Sequence, residues 1–228
     1  MNKLITTSLA SLFFMSTIIN LVYAEVKLKT NQQKYSYAIG IQVANKIKRQ
    51  DIQLDPESLT QAIKDVLNGK PLKASQEELD KAISALHAEN KKKQHQQAQL
   101  SIKAGKAFQA KYKQDKSVIT LKDGIQYKII TKGQGKKPQS TDIIVAHYEG
   151  KLINGTVFDS SYKRKAPSTF PINRVIKGWQ NIIPMMPLGS IWEVVIPADL
   201  AYGDQGVGKD IGPGETLIFK IELISIRS

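Results

Sequence analysis

The amino-acid sequence predicts an α+β protein, in which an all-helical N-terminal domain and a long connecting helix precede a twisted antiparallel sheet with one short helix. In several stretches before residue 113, apolar side chains recur every three to four residues, which is the period of an α-helix. From Val118 they alternate instead, and Asp123-Gly124 and Asn154-Gly155 are typical hairpin turns. One short helix packed on such a sheet is an α+β arrangement.

Two helices are predicted in residues 25–75, which we expect to form the helical domain. The first covers residues 35–49 and contains Gly40, which weakens the helix but lets another helix approach closely. The second begins at Asp55-Pro56, because aspartate is a good N-cap and proline fits the first turn. It ends at Asn68-Gly69.

A third helix is predicted over residues 76–113, where no proline interrupts the chain. It begins at a capping box made by Ser75 and Glu78. Its two ends are amphipathic, but residues 89–97 contain no apolar side chain. Because a helix that is polar on every side bridges domains through solvent, we expect this stretch to be a stalk.

The helical domain is too small to enclose a stable core alone, since fewer than about 70 residues seldom bury enough apolar surface. A second copy of the chain is the simplest supplement. We therefore expect a homodimer joined through residues 25 to about 88. A monomer with a helical appendage is the alternative.

Residues 114–228 are expected to form the sheet domain. Its short helix is predicted at residues 179–185. The alternating segments that predict strands are residues 118–121, 125–131, 143–151, 191–197 and 216–226.

Residues 1–24 have the three parts of a secretory signal peptide: Lys3, an apolar run, and Val22-Tyr23-Ala24 at the cleavage position. The rival reading is a membrane anchor, but the run is short for that role and polar residues interrupt it. The sequence contains no cysteine, which suits an oxidising compartment and excludes thiol chemistry. We expect export to a bacterial periplasm, the outer membrane or the cell surface.

Several function classes are disfavoured. The formal net charge of +13 is spread along the chain, whereas a nucleic-acid-binding protein concentrates it on one face. Residues 203–209 match the start of a P-loop, but Asp210 stands where a magnesium-binding Ser or Thr is required. His87 and His95 are too far apart for a two-ligand metal clip. We expect no nucleic-acid partner, no cofactor and no metal.

Five aromatic residues lie on separate short segments of the sheet region, each beside a distinctive neighbour. Aromatic side chains that a fold draws together form a concave apolar site with few polar groups, which is the usual form of a small-ligand or peptide pocket. The segments are His147-Tyr148-Glu149-Gly150, Val157-Phe158-Asp159-Ser160-Ser161, Val175-Ile176-Lys177-Gly178-Trp179, Ala201-Tyr202-Gly203 and Thr216-Leu217-Ile218-Phe219.

The order and spacing of these motifs closely resemble the FKBP family of peptidyl-prolyl cis/trans isomerases, from about Gly124 to the C-terminus. The helical region is similar to that of the Mip-like subgroup, whose members are V-shaped homodimers with a long connecting helix. The resemblance implies an FKBP-like half-barrel and a folding helper for exported polypeptides that contain proline. It also implies macrolides of the rapamycin class as further ligands.

The resemblance further implies a role for each pocket residue. The implied catalytic residues are Asp159, Ile176 and Tyr202, of which Ile176 acts through its backbone N–H. The implied substrate-binding residues are Tyr148, Phe158, Arg164, Val175, Trp179, Ile211 and Phe219. Trp179 would be the floor under the proline ring, and Ile211 would cover the slot. A carboxylate is costly in an apolar pocket unless it is paired, so Arg164 and Tyr148 are the expected partners of Asp159.

Three positions depart from the most familiar single-domain FKBPs. Ser168 stands where an aromatic wall is common, and Val207 and Asp210 occupy loop positions that often hold His and Ile. The slot is therefore expected to be more open and to bind macrolides less tightly.

Two functions remain open on the sequence alone. The first is an exported, homodimeric isomerase that binds the twisted X–Pro amide more tightly than either planar form. The second is a dimeric chaperone-like or host-surface binding module in which catalysis is weak.

Overall fold

The computed structural model describes residues 27–49 and 52–227, and the predicted signal peptide lies outside this part of the chain. The chain divides into two compact units, one up to Lys73 and the other from Ala74 onward.

The first unit contains helices α1 (Asn31–Arg49) and α2 (Pro56–Leu67). Helix α1 begins before the predicted residue 35, because Thr30 and Gln33 form a cap that the sequence analysis missed. The Thr30 hydroxyl accepts from the Gln33 backbone N–H at 3.2 Å, and the Gln33 side chain accepts from the Thr30 N–H at 3.0 Å. The predicted start of α2 is confirmed, since the Asp55 side chain accepts from the Ser58 N–H at 2.7 Å.

Helix α3 (Gln76–Tyr112) is continuous over 37 residues and begins at the predicted capping box of Ser75 and Glu78. Its buried residues are Ala98, Ser101 and Gly105. They follow one face of the helix and pack against the remainder of the second unit. Contact begins earlier, where the Gln94 side chain donates to the Gln205 carbonyl at 3.4 Å. The solvent-exposed stalk expected over residues 89–97 is therefore shorter, ending before Gln94.

Two glycines allow the close approach of α3 to residues 202–216. A Cβ atom added to Gly105 would lie 2.1 Å from the Thr216 hydroxyl oxygen. Gly214 has a φ of +72°, and an added Cβ there would lie 2.3 Å from the Ala98 carbonyl oxygen. Real side chains do not tolerate such distances, so both positions require glycine for this packing.

The second unit is built on a seven-stranded antiparallel sheet with the order β1-β2-β6-β7-β3-β4, and β5 pairs with β3. The strands are β1 (Ile119–Thr120), β2 (Gln126–Thr131), β3 (Ile143–Leu152), β4 (Val157–Ser160), β5 (Ser168–Pro171), β6 (Ile191–Ile196) and β7 (Leu217–Arg227). Both predicted hairpins are present, and their turn residues Gly124 and Gly155 have positive φ angles of 86° and 89°.

The short helix α4 (Lys177–Ile182) is followed by one 3-10 turn, Ile183–Met185. Ile183 keeps helical dihedral angles, with φ −59° and ψ −41°, but Pro184 has no backbone N–H to continue the α-helical hydrogen bonds. Trp179, Ile182 and Ile183 of this segment join the apolar core under the sheet. The α+β fold class predicted from the sequence is thus confirmed, and α4 presents Trp179 toward strands β3 and β7.

No helix within the described ranges is long and apolar enough to cross a membrane. Those same residues also contain no group of three or more His, Asp or Glu side chains placed to hold a metal ion.

Candidate active site

A cavity of about 350 Å³ opens between α4, strands β3, β4 and β7, and the segment that carries Tyr202. Of the ten residues that the sequence analysis singled out, eight line it: Tyr148, Phe158, Asp159, Val175, Ile176, Trp179, Tyr202 and Phe219. Two further residues line it that the sequence analysis did not name, Phe170 and Arg174. The motifs therefore converge on one hollow although they lie on separate elements.

Trp179 occupies the centre of an aromatic cluster. Its ring makes edge-to-face contacts with Tyr148, Phe170 and Phe219, with centroids 5.5, 5.4 and 5.3 Å apart. Phe158 in turn stands edge-on to Phe219 at 5.7 Å. Edge-to-face pairs are the favoured packing of aromatic rings, so these contacts fix the cavity walls as well as supplying apolar surface. Trp179 as a whole residue is only 4% exposed.

Asp159 is the one carboxylate that lines the cavity, and two donors hold it. The Tyr148 hydroxyl donates to its Oδ2 and the Arg164 guanidinium to its Oδ1, and these are the two partners expected from the sequence. Arg164 also donates to the Tyr148 hydroxyl oxygen at 2.9 Å, which closes the triangle. Burial raises the pKa of the Asp159 carboxyl, but the hydrogen bonds from Tyr148 and Arg164 outweigh burial and hold that pKa below its usual value. Asp159 is therefore ionised near neutral pH.

Several donors at the cavity have no partner among the described residues, and the Nε1 of Trp179 is one of them. The Tyr202 hydroxyl makes no hydrogen bond there, and its side chain is 37% exposed. Burial and the charge of Asp159 raise the pKa of Tyr202, which keeps its proton in place. The backbone N–H of Ile176, at the start of α4, also donates to no described group. The Gln180 side chain donates to the Val175 carbonyl at 2.7 Å and so fixes this segment.

Arg164 and Ile211 lie elsewhere than the other eight residues. Arg164 reaches the site only through Asp159 and Tyr148 and does not line the cavity. Ile211 is 6% exposed and belongs to the apolar core, where its backbone pairs with Val207. The cover that we expected from Ile211 is not among the groups that line the hollow.

Phe170 supplies an aromatic wall that the sequence analysis did not anticipate. It lies two residues after Ser168 on β5, and alternate residues of a strand share a face. Ser168 itself accepts a hydrogen bond from Arg164 at 3.3 Å and does not line the cavity. The two-residue spacing of Ser168 and Phe170 could have predicted this wall. An aromatic residue on the same strand face can take the place of one missing at position 168.

This arrangement suits the binding of an uncharged amide. The walls are aromatic and aliphatic, the one carboxylate is neutralised by Arg164, and two lining residues, Ile176 and Tyr202, carry unpaired N–H and O–H donors. Asp159 does not resemble an activated nucleophile. Its carboxylate oxygens already accept hydrogen bonds from the Tyr148 hydroxyl and the Arg164 guanidinium. The cavity can act on a bound amide through its shape, by excluding water and through oriented dipoles.

Comparison with known proteins agrees with this chemistry. Residues 134–224 match the family model described as FKBP-type peptidyl-prolyl cis-trans isomerase, and residues 32–129 match the domain amino terminal to that isomerase. The peptidyl-prolyl cis-trans isomerase Mip of Coxiella burnetii is 40% identical over 90% of this chain and 91% of its own length. The outer membrane protein MIP of Legionella longbeachae is 40% identical over 99% of this chain and 97% of its own.

A solved structure supports the same assignment. The crystal structure of FkpA from Escherichia coli matches with a TM-score of 0.61 and 32% identity, covering 88% of this chain and 99% of FkpA. Together with the matches to both domains, these similarities show that the chain belongs to the FKBP-type peptidyl-prolyl cis-trans isomerases and that its relatives are of the Mip type.

Proposed function

We propose that the aromatic cavity is the site at which this enzyme isomerises X–Pro bonds. The barrier to rotation about a peptide bond is about 18–20 kcal/mol, because the planar amide is stabilised by resonance. At the top of the barrier that resonance is lost, the nitrogen regains a lone pair, and no proton has to move. A catalyst therefore needs only to bind the twisted amide more tightly than either planar form.

Each lining residue has a role in this proposal. The proline ring lies on the indole of Trp179, between walls that include Tyr148, Phe158 and Phe219. The Ile176 N–H and the Tyr202 hydroxyl donate to two substrate carbonyls and hold the chain while the amide turns. The observation that carries the proposal is the convergence of the rings of Tyr148, Phe170 and Phe219 on Trp179, each within 5.5 Å.

The Asp159 carboxylate is proposed to act by its charge. Paired with Arg164 and Tyr148, it stays ionised and holds a fixed dipole at the rim, close to the carbonyl that loses conjugation. A dipole that is already oriented needs no reorganisation during the reaction. Arg164 is therefore a positioning residue, since it acts on the substrate through Asp159.

Substitution of the two polar side chains tests these roles. We expect Tyr202→Phe and Asp159→Asn each to lower kcat/KM for a proline tetrapeptide at least about tenfold, which corresponds to roughly 1.4 kcal/mol of transition-state binding. Tyr127→Phe is the matched control, because Tyr127 is a buried tyrosine of the same sheet that stacks on Trp192 and does not line the cavity. Unchanged rates in folded Tyr202 and Asp159 variants would reject the assignment.

We also propose that the N-terminal helices join two copies of the chain. Helix α1 buries none of its residues within its own unit. Large apolar side chains of the two helices are exposed instead: Tyr35, Tyr37, Ile39, Ile41, Val43, Ile63, Val66 and Leu67. So much exposed apolar surface in a small unit is explained by a self-association interface.

Sedimentation of the mature protein at micromolar concentration tests this interface. We expect a dimer that Ile41→Glu dissociates. Lys46→Glu, which changes a charge on the same helix without removing apolar surface, serves as the control. A monomeric wild-type protein would remove the proposal.

Export completes the proposed function. The features of residues 1–24 support a cleaved signal peptide, and a relative that is 40% identical carries the description outer membrane protein. The clients would then be exported polypeptides whose folding waits for a proline bond to isomerise. Cell fractionation together with the intact mass of the recovered protein would test this, and an uncleaved cytoplasmic chain would contradict it.

Macrolides of the rapamycin class are proposed as competing ligands of the same cavity. Phe170 provides an aromatic wall near the position of Ser168, which favours such binding. Inhibition of peptide isomerisation by rapamycin would test this, with Trp179 fluorescence as a second readout.

A further inference from the structure

One charged residue that lines the cavity is left without a counter-ion. Arg174 lines the hollow, and within the described residues its guanidinium forms no ion pair and no hydrogen bond. The other two charges of the site neutralise each other, since Arg164 is paired with Asp159. A peptide that enters the cavity therefore meets one net positive charge.

The neighbouring charges do not cancel this one. The charged residues nearest to Arg174 along the chain are Lys165 and Lys177, which are both cations. On the segment that carries Tyr202, Asp199 and Asp204 line a different cavity, beside α3. These two carboxylates do not line the cavity that contains Arg174.

We infer that Arg174 is a specificity-determining residue, which makes the enzyme prefer prolines flanked by an acidic residue. This rests on the proposed function, because it assigns a substrate class to the same cavity. The carboxylate of a flanking Glu or Asp supplies the counter-ion that Arg174 lacks. A flanking lysine meets repulsion at the same position.

The expected size of the preference follows from the exposure of Arg174. Two unit charges near 5 Å in a water-like medium interact weakly, and exposed ion pairs are weak in general. We expect kcat/KM for a Glu-containing peptide to exceed that of the matching Gln peptide by about three- to fivefold at low salt. The ratio should fall toward one as salt is added, since the Debye screening length is only about 3 Å at 1 M salt.

The assay compares acetylated peptides that carry no other charge. One series, Ac-Ala-Xaa-Pro-Phe anilide with Glu, Gln or Lys as Xaa, varies the residue before proline. A second series varies the residue after proline and is followed by NMR exchange. The inference predicts the order Glu, Gln, Lys in at least one series, and equal rates in both would overturn it.

Variants then attribute the preference to one side chain. We expect Arg174→Gln to bring the ratio of kcat/KM for the Glu and Gln peptides to about one. We expect Arg174→Glu to reverse the preference, so that the Lys peptide has the highest kcat/KM. A loss of folding would not produce such an inversion. Lys177→Gln is the matched control. It also removes one positive charge, but Lys177 lies three positions after Arg174 and does not line the cavity, so the ratio should stay unchanged. A ratio that survives Arg174→Gln would overturn the inference.

The experiments distinguish an error in the role of Arg174 from an error in the active site. If Glu, Gln and Lys peptides are all isomerised at one rate, the active site stands and the role of Arg174 is wrong. If Tyr202→Phe and Asp159→Asn leave every peptide unaffected, the site itself is misassigned.

Discussion

Replacement of Gly105 by alanine should destabilise the protein, although alanine is the better helix former. In an exposed helix interior this change would add about 0.8–1 kcal/mol of stability. Here the new Cβ would lie 2.1 Å from the hydroxyl oxygen and 2.9 Å from the Cβ of Thr216. Thr216 is a buried, β-branched residue that has little freedom to move, and overpacking of this kind costs typically 1–3 kcal/mol. Taking the upper part of that range, we expect a net loss of about 1–2 kcal/mol.

Tryptophan fluorescence during urea unfolding is the appropriate measurement. The chain has two tryptophans, Trp179 and Trp192, and both are buried in the sheet unit, so the signal reports on that unit. A double-mutant cycle with Thr216→Ala isolates the contact, because alanine removes the closest atom. The loss caused by Gly105→Ala should shrink by about 1 kcal/mol in that background. A gain of stability in the single variant would show that α3 does not pack here, and the reasoning would be refuted.

Two further predictions concern the cavity. Gly150→Ala would place a Cβ 2.5 Å from the Phe158 ring and 2.9 Å from that of Phe219, so the walls must shift; we expect kcat/KM to fall about three- to tenfold, and full activity would contradict the assigned walls. Arg164→Gln removes one of the two donors that hold down the pKa of Asp159, so that pKa should rise and the acid limb of the pH–rate profile should move to higher pH. Because the folded pKa is depressed, ionised Asp159 stabilises the wild type above the unfolded pKa of about 3.9, and this stabilisation is lost on acidification; an equal acid dependence of stability in the variant would count against the pairing.

Features that depend on neighbouring residues in the chain could be predicted from the sequence. The caps at Asp55 and Ser75 and the turns at Gly124 and Gly155 each follow from a few adjacent residues whose backbone preferences are local. The aromatic motifs were also recognisable, because each pairs an aromatic residue with a distinctive neighbour. The cap at Thr30 obeys the same rule and was available in the sequence.

Features that depend on tertiary contact could not be predicted in this way. Strand β5 has four residues and ends in proline, so it is too short to show an alternating pattern, and its pairing with β3 alone defines it. Phe170 and Arg174 reach the cavity through that pairing and the turn after it. Ile211 shows the converse, since the resemblance to the FKBP family implied a cover at this position while the fold buries it in the core.

The close packing of α3 at Gly105 and Gly214 also determines where the chain can be truncated. A truncation at the end of α3 would look natural from the strand pattern, but it would strip away the side chains that shield Thr216 and brace the Tyr202 segment. The smallest fragment that retains the native aromatic cavity should therefore start upstream of Gln94. Shorter fragments are expected to expose Ala198 and Thr216, which are buried beside α3 in the whole chain, and to be less stable.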